Sequence, residues 1–252
     1  MSSLIKKALS LKEHKPKIAM IERRLFLKKG LSLGAISLLT GCNLEDNDTV
    51  DKILSAMSNW NDGIQGALFN PNKLARTYSE ADITTPFPFN AFYEEPMAPV
   101  IDRDSYRLNL SGMIGGKKPL KLAELRAMPQ TSQITRHVCV EGWSAIGKWG
   151  GVPFKIFLER IQADLTAKYV AFYCADKYWT SIDMASALHP QTLLVLDFPG
   201  ETGETKYGFP VKLRIPTKLG FKNPKFVAEI RVTNDYPGGY WEKEGYNWFA
   251  GS

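Results

Sequence analysis

Nine consecutive residues near the middle of the chain combine a thiol, an imidazole and a carboxylate with a Gly-Trp pair. They read Arg136-His137-Val138-Cys139-Val140-Glu141-Gly142-Trp143-Ser144. A deprotonated thiol is a strong, soft ligand for a transition metal. A strand that runs into a glycine turn would present the sulfur of Cys139 at the mouth of a cleft. Because a single buried cysteine is more often a small apolar core residue, this segment alone leaves a packing role open.

The other polar residues of this stretch have two interpretations each. His137 lies two residues before Cys139, so on a strand both side chains share a face, and the imidazole could bind a cofactor or be purely structural. Glu141 could be a general acid near a metal or could cap backbone N–H groups of the turn. His189 precedes Pro190 in a predicted loop and is expected on the surface. No second residue is spaced for nucleophilic cysteine catalysis, which disfavours a hydrolase.

The charge of the chain is concentrated at its N-terminus. The chain has 252 residues, a hydrophobic fraction of 44% and a formal net charge of +6. Residues 1–41 hold nine Lys or Arg and two acidic residues, and the remaining residues hold 23 basic and 24 acidic side chains. The hydrophobic fraction supports a globular core. The nearly neutral remainder gives no electrostatic reason to expect nucleic-acid binding.

The three cysteines must be interpreted one at a time. Cys42, Cys139 and Cys174 are too few for a disulfide framework, and their spacing matches no zinc site. A disulfide between Cys139 and Cys174 is possible in an oxidising compartment. That bond would remove the thiolate on which a metal site depends.

The N-terminal segment has the layout of an export signal. Arg23-Arg24-Leu25-Phe26-Leu27-Lys28-Lys29 precedes the apolar run 31–39 and then Thr40-Gly41-Cys42. The apolar run is much shorter than the roughly 20 residues that span a bilayer. Residues 1–41 are predicted to be a twin-arginine signal with a lipobox, and Cys42 to be lipidated. An ordinary amphipathic helix and an uncleaved anchor are the alternatives. Export would place the protein in the periplasm, lipid-anchored at the membrane.

The remaining chain reads as short strands and helices joined by irregular segments. Residues 42–63 are predicted to be an acidic tether with a short helical pattern around residues 53–57, and five prolines in 71–99 predict an irregular arm. Strands are predicted at 106–114, 132–140, 168–174, 193–198, 207–216 and 225–233, a hairpin turn at 115–118, and helices at 120–128, 152–161 and 184–188. Residues 64–252 are thus predicted to form a β-rich, mixed α+β domain behind a flexible leader.

Several motifs together resemble a known family. They are the segment 137–144 (His-x-Cys-Val-Glu-Gly-Trp-Ser), Trp149-Gly-Gly-Val-Pro153, residues 169–173, residues 208–213 and 216–222, and Gly239-Tyr-Trp-Glu242. The chain resembles the sulfite-oxidase-fold molybdopterin oxidoreductases over roughly residues 85–245. It is most similar to the exported catalytic subunits that act as methionine sulfoxide reductases.

The resemblance assigns roles to particular residues. It implies that Cys139 is the thiolate ligand of molybdenum in a molybdenum–molybdopterin cofactor. It implies contacts to the pterin from Asn90, Tyr93, Glu94, Cys174 and Tyr207, and a phosphate clamp from Lys212, Asn223, Pro224 and Lys225; His137 is added as a hydrogen-bonding residue beside the metal. Four lysines within 212–225 suit a phosphate, although such a set is also typical of a solvated face. The family usually has Arg at the position of Lys212, and Lys keeps the charge but not the bidentate fork.

The resemblance also implies an activity and partners. It implies oxygen-atom transfer in the direction of sulfoxide reduction, with electrons from a membrane haem-containing subunit. The chain ends soon after its last predicted strand, without the further dimerisation domain of typical sulfite oxidases, and has no haem-attachment motif. The alternatives are an oxidase that passes electrons to a cytochrome and a cofactor-free envelope lipoprotein that binds a ligand or another protein.

Overall fold

The computed structural model describes residues 47–198 and 206–252. The predicted export signal and Cys42 lie outside the described residues. Ser55–Ser252 form one compact unit, and the described residues before Ser55 are the first turns of the N-terminal helix. Within the described ranges, no helix is long and apolar enough to cross a membrane.

Five helices and nine strands are assigned in the described ranges. The helices are α1 (Asn47–Leu68), α2 (Leu122–Arg126), α3 (Phe154–Arg160), α4 (Met184–Ala187) and α5 (Tyr240–Lys243). The strands are β1 (Arg107–Gly112), β2 (Leu120–Lys121), β3 (Thr131–Val138), β4 (Ser144–Pro153), β5 (Tyr169–Cys174), β6 (Trp179–Asp183), β7 (Leu193–Asp197), β8 (Lys212–Arg214) and β9 (Val227–Thr233). Short 3-10 turns lie at Glu80–Asp82, Glu95–Met97 and Gly220–Lys222.

The strands form two sheets that share one core. The first sheet has the order β2-β1-β9-β5-β6, with β1 and β9 parallel and the other pairs antiparallel. The second has the order β3-β4-β7-β8 and is antiparallel. Phe172 and Ile230 from the first sheet, Val152 and Leu213 from the second, and Phe154 of α3 belong to one buried cluster. The two sheets therefore stabilise each other through this core.

The predicted mixed β-rich fold is confirmed, but three strands were not predicted: β2, which lies at the start of the predicted helix 120–128, β4 and β6. Strand β4 contains three glycines, and its last two residues, Val152 and Pro153, were predicted as the start of the helix 152–161. An added Cβ at Gly151 would lie 2.1 Å from the carbonyl oxygen of Leu194 on β7, so glycine is required for the strands to approach. No strand was predicted for the residues of β6. Strand β6 pairs with β5 from Tyr173↔Trp179 to Tyr169↔Asp183.

The segments before the first strand are more ordered than the sequence predicts. Helix α1 includes the predicted helical pattern at 53–57 and continues through the expected boundary between residues 63 and 64. Asp62 Oδ1 accepts a hydrogen bond from the Phe249 N–H at 2.6 Å, and Gln65 Oε1 accepts one from Gly251 N–H at 3.0 Å. The predicted arm 71–99 is irregular, as expected, and contains two of the 3-10 turns.

Candidate functional site

Cys139 lies directly after β3, in the tight turn that joins β3 to β4. The Cys139 N–H donates to the Trp143 carbonyl at 2.9 Å, and the Gly142 N–H donates to the Cys139 carbonyl at 3.2 Å. Gly142 has a φ of 93°, a left-handed conformation that favours glycine. Cys139 and Cys174 are both free thiols, so the possible disulfide between them is not formed. The turn therefore presents a thiol, as the sequence predicts.

The thiol of Cys139 lines a cleft of about 620 Å³ that is open to solvent. Five of the predicted site residues meet in this cleft: Asn90, Cys139, Asn223, Pro224 and Lys225. Phe92, Tyr178, Phe221 and Trp241 supply aromatic walls, and Asp176 supplies a carboxyl group. Burial raises the pKa of Cys139 and is its largest perturbation, with the Glu141 carboxylate adding to it. A bound cation would reverse this balance and favour the thiolate.

Lys225 links the segment 223–225 to Asn90 of the arm, and both line the cleft. Its ammonium donates to the carbonyl of Asn90 at 2.5 Å and lies 4.5 Å from the ring centre of Phe89. Asn223 is engaged in shaping the turn, because its Oδ1 accepts from Arg214 at 3.0 Å and from the Ile215 N–H at 2.7 Å. The side chain of Asn223 thus fixes the backbone that carries Pro224 and Lys225.

A second cleft, of about 920 Å³, contains the other predicted phosphate contact. Tyr207 and Lys212 line it together with Phe87, Trp149 and Phe198. The Tyr207 hydroxyl donates to the Phe87 carbonyl at 2.6 Å. The Lys212 ammonium lies 5.0 Å from the ring centre of Trp149, and the residue is 2% exposed. The aromatic walls keep this cation in a partly apolar environment.

The lysines of 212–225 do not form a solvated face. Lys212, Lys218, Lys222 and Lys225 are all buried, and Arg214 between them is fully buried. Lys218 lies 3.4 Å from Asp183 Oδ2, and Lys222 pairs with buried Glu242. Because burial of a charge is costly without compensation, this concentration of cations favours an anionic ligand nearby.

His137 is buried between the two clefts. Arg214 Nη1 lies 3.4 Å from His137 Nδ1, and because a guanidinium only donates, Nδ1 must accept and the proton must be on Nε2. Burial, followed by the charges of Arg214, Lys212 and Lys225, holds the pKa of His137 well below its ordinary value. The Nε2 atom is buried and has no hydrogen-bond partner among the residues that the structure describes.

Besides His137, three predicted site residues line neither cleft. The Tyr93 hydroxyl donates to Asp176 Oδ2 at 2.9 Å, so Tyr93 reaches the cleft through this carboxyl group. Cys174 is buried at the end of β5, and burial raises its pKa well above the ordinary value. The side chain of Glu94 is exposed at the start of the Glu95–Met97 turn. Their predicted contacts to the pterin stay predictions.

Two polar residues of this region were not predicted from the sequence, and the predicted exposure of a third is wrong. Asp176 was not singled out, although it follows β5 in a turn where Lys177 has a φ of 68°. Arg214 was missed, although it lies two residues after Lys212 and shares its face of the strand. His189, predicted on the surface, is 1% exposed, because Asn70 to Ala75 cover it and its Nε2 lies 3.1 Å from the Lys73 carbonyl.

The carboxylate of Glu141 is hydrogen-bonded within the turn. Its Oε2 accepts from Trp143 Nε1 at 2.8 Å and lies 3.7 Å from Cys139 Sγ. The carboxylate thus bonds side chains of the turn rather than the backbone N–H groups of the predicted cap. In the described part of the chain, no group of three or more His, Cys, Asp or Glu side chains is arranged to hold a metal ion. A metal at Cys139 would therefore need most of its ligands from a cofactor.

The residues present fit such a cofactor. A thiol faces the first cleft, and buried cations stand at both clefts. His137 Nε2 is a buried donor that finds no partner within residues 47–198 and 206–252. An added Cβ at Gly220 would lie 2.7 Å from His137 Nε2, so glycine is needed where this turn passes the imidazole. Phosphate oxygens and heterocyclic ring atoms are the groups that cations and a buried N–H would bind.

Comparison with known proteins agrees with this chemistry. A protein of Azospira oryzae, provisionally named as protein-methionine-sulfoxide reductase subunit YedZ1, is 57% identical over 93% of this chain and 90% of its own length. The protein-methionine-sulfoxide reductase catalytic subunit MsrP of Campylobacter jejuni is 28% identical over 88% of this chain and 76% of its own length. The sulfane dehydrogenase SoxCD of Paracoccus pantotrophus superposes with a TM-score of 0.51 at 18% identity, over 55% of this chain and 40% of its own, which shows the shared sulfite-oxidase fold.

The family assignment follows from the sequence profile described as the oxidoreductase molybdopterin binding domain, which matches residues 95–241. That range contains Cys139, three of the four aromatic wall residues of the first cleft (Tyr178, Phe221 and Trp241) and the buried lysines and arginine of 212–225. The chain belongs to the molybdopterin-binding oxidoreductase domain family.

Proposed function

We propose that the protein reduces sulfoxides, with methionine sulfoxide or related S- and N-oxides as substrates, by means of a molybdenum–molybdopterin cofactor. The observation that carries this proposal is Cys139, a free thiol in the lining of a cleft that the buried cation Lys225 also lines. The names of the relatives support the direction of the reaction. The family assignment disfavours the cofactor-free lipoprotein.

Each part of the site has a task in this proposal. Cys139 would bind the metal, Lys212 and Lys225 would neutralise the phosphate, and His137 Nε2 would donate a hydrogen bond to the cofactor. When bound, the molybdenum centre supplies two-electron oxygen-atom exchange with the substrate. The aromatic residues Phe92 and Trp241 at the first cleft would limit water and receive the apolar part of a sulfoxide.

The decisive experiment compares the full chain with Cys139→Ser, both made in a host that synthesises molybdopterin. We expect molybdenum in the wild-type protein and reduction of methionine sulfoxide by a reduced viologen dye. Cys139→Ser should keep its far-ultraviolet circular dichroism and lose turnover, because an alkoxide ligand does not replace a thiolate electronically. Full turnover by Cys139→Ser, or a wild-type protein without molybdenum, would refute the proposal. Oxidation of sulfite with the dye as acceptor, faster than reduction, would favour the oxidase.

We also propose that the enzyme works outside the cytoplasm, anchored through Cys42, and receives electrons from a membrane haem-containing subunit. The support is the order of paired arginines, apolar run and Thr40-Gly41-Cys42 in the sequence. An anchor would raise the local concentration of the enzyme near its electron donor. Fractionation of cells expressing the full chain or Cys42→Ala tests the anchor, because only the variant should leave the membrane fraction.

A further inference from the structure

Removal of oxygen from a sulfoxide needs a source of protons inside the cleft. The sulfur–oxygen bond breaks, two electrons arrive from the reductant, and two protons join the oxygen to form water. A positioned acid with a pKa near the working pH speeds such proton transfers by roughly 10²–10⁴-fold. The cleft that contains Cys139 should therefore contain an acid as well.

Asp176 is a half-buried carboxyl group in the wall of that cleft. It lies in the turn between β5 and β6. The Tyr93 hydroxyl donates to its Oδ2 at 2.9 Å, and the Tyr178 N–H donates to its Oδ1 at 3.1 Å. One bond comes from the arm and the other from the adjoining hairpin, so the orientation of the carboxyl group is fixed by two separate elements.

The surroundings of Asp176 favour a protonated carboxyl group. Burial raises the pKa of Asp176 above its ordinary value, and this outweighs the opposing effects of its hydrogen bonds and of the Lys225 charge. Burial also raises the pKa of Tyr93, Tyr178 and Cys174, so these neighbours stay neutral. The carboxyl group therefore stays protonated to a higher pH than an exposed aspartate, without a neighbouring group that competes for the proton.

Glu141, the other carboxyl group that lines this cleft, is less suited to the task. It is exposed, and its Oε2 already accepts from the indole of Trp143 at 2.8 Å. Its position two residues after Cys139 makes it part of the turn that would hold the metal. Asp176 belongs to a different element and approaches the cleft from the opposite sheet.

We propose that Asp176 donates one of the two protons to the oxygen that leaves the sulfoxide, and that Tyr93 is its positioning residue. This inference depends on the proposed sulfoxide reduction. After transfer, Asp176 is a carboxylate that the Tyr93 hydroxyl and the Tyr178 N–H stabilise. Solvent, through water entering the open cleft, re-protonates Asp176 and supplies the second proton, and the reductant supplies both electrons. Two protons, two electrons and the sulfoxide thus give one sulfide and one water.

The test is the pH profile of the molybdenum-loaded protein with a reduced viologen dye and methionine sulfoxide. Wild-type kcat should fall as pH rises through the raised pKa of Asp176, because only the protonated acid is active. Asp176→Asn should lower kcat by about 100-fold or more and remove this pH dependence, and Asp176→Glu should restore both in part. Tyr93→Phe removes a bond that stabilises the carboxylate, so the fall in kcat should move to higher pH.

Two controls separate a chemical role from a structural one. Asp164→Asn changes an exposed carboxyl group that is not in the cleft lining and should leave the pH profile unchanged. Molybdenum content should be equal in wild type and Asp176→Asn. A wild-type rate and profile in Asp176→Asn would overturn the proposal.

An infrared measurement reports on Asp176 without any turnover. The carbonyl band of a protonated carboxyl group should titrate above the ordinary pKa of aspartate and be absent in Asp176→Asn. Titration of this band at or below the ordinary value would also overturn the proposal. If the band titrates as expected but the wild-type protein reduces no sulfoxide, the proposed function is refuted. The raised pKa of Asp176 would still be confirmed.

Discussion

At the scale of single residues, the pair formed by Lys222 and Glu242 shows how the sequence motif Gly239-Tyr-Trp-Glu242 contributes to the fold. Both side chains are almost completely buried. The Lys222 ammonium also donates to the Ser181 carbonyl at 2.9 Å. An added Cβ at Gly239 would lie 2.0 Å from Glu242 Oε2, so the carboxylate lies over the bare glycine backbone. The glycine is required by this close approach.

Removal of either charge of this pair should be strongly destabilising. Glu242→Leu leaves the Lys222 ammonium buried without a counter-charge, and we expect it to lower the free energy of unfolding by about 3–5 kcal/mol. The double variant Lys222→Met/Glu242→Leu should lose less than the two single variants together, because it leaves no unpaired charge. Urea denaturation followed by tryptophan fluorescence gives these values.

An exposed pair provides the matched control. Lys155 and Glu159 lie one turn apart on α3, 4.0 Å from each other, with side chains more than half exposed. Lys155→Met should change the free energy of unfolding by less than about 0.5 kcal/mol. Equal losses from the exposed and the buried pair would contradict the proposed role of burial.

At the scale of elements, helix α1 is held by its polar face. Asp62 and Gln65 accept hydrogen bonds from the C-terminal residues Phe249 and Gly251. Met57, Trp60 and Leu68 are 59%, 71% and 78% exposed. This is the reverse of the usual arrangement, in which the apolar stripe faces the core. The helix therefore depends on a few polar bonds for its position.

We expect Asp62→Ala to loosen the C-terminal segment without unfolding the sheets. The loss of one hydrogen bond to a charged acceptor costs about 1.5 kcal/mol, which is roughly a tenfold increase in the rate of local opening. Hydrogen–deuterium exchange of the amides of residues 249–251 would report the change. Trp60→Ala, on the exposed face, should leave these rates as they are. Faster exchange in both variants would mean that the outward face also supports the tail.

Elements were predictable where side-chain periodicity was clear. Strands β5, β7 and β9 have continuous or alternating apolar patterns and lie where the sequence placed them. Strand β4 was not predicted, because its glycines lack the side chains on which a periodic pattern depends. The pairing of β1 with β9 joins residues more than 100 positions apart, such as Leu110 and Ile230. No local pattern specifies such a pairing.

At the scale of the whole molecule, the site could be predicted only where a motif marked it. Cys139 belongs to a recognisable motif, and it lines the first cleft. Asp176 and Trp241 reach the same cleft from a hairpin and from the C-terminal tail. The sequence around Asp176 is ordinary, whereas Trp241 belongs to the motif at 239–242, and only the packing of the two sheets brings the two residues together. The burial of the lysines likewise follows from tertiary packing, since their spacing also suits a solvated face.

The protein is built with cationic groups that a cofactor would compensate. Lys212 and Arg214 are buried on one short strand, and Lys225 is buried beside the first cleft. Burial lowers the pKa of Arg214 to about 9, so at neutral pH the guanidinium is charged at a cost in folding free energy. An anion bound among these groups would offset that cost. Cofactor binding and folding should therefore be coupled.

This coupling predicts a measurable difference between cofactor-loaded and cofactor-free protein. Binding at 100 times Kd stabilises a protein by about 2.7 kcal/mol. For a unit of this size that corresponds to a rise in Tm of about 5–10 °C. Lys212→Met should lose part of the rise and lower the molybdenum content, because a buried charge contact is removed. Lys212→Arg keeps the charge, adds a planar fork for phosphate, and should load at least as well as wild type. If Lys212→Met binds molybdenum and melts as the wild-type protein does, then Lys212 does not contact the cofactor, and the second cleft has another use.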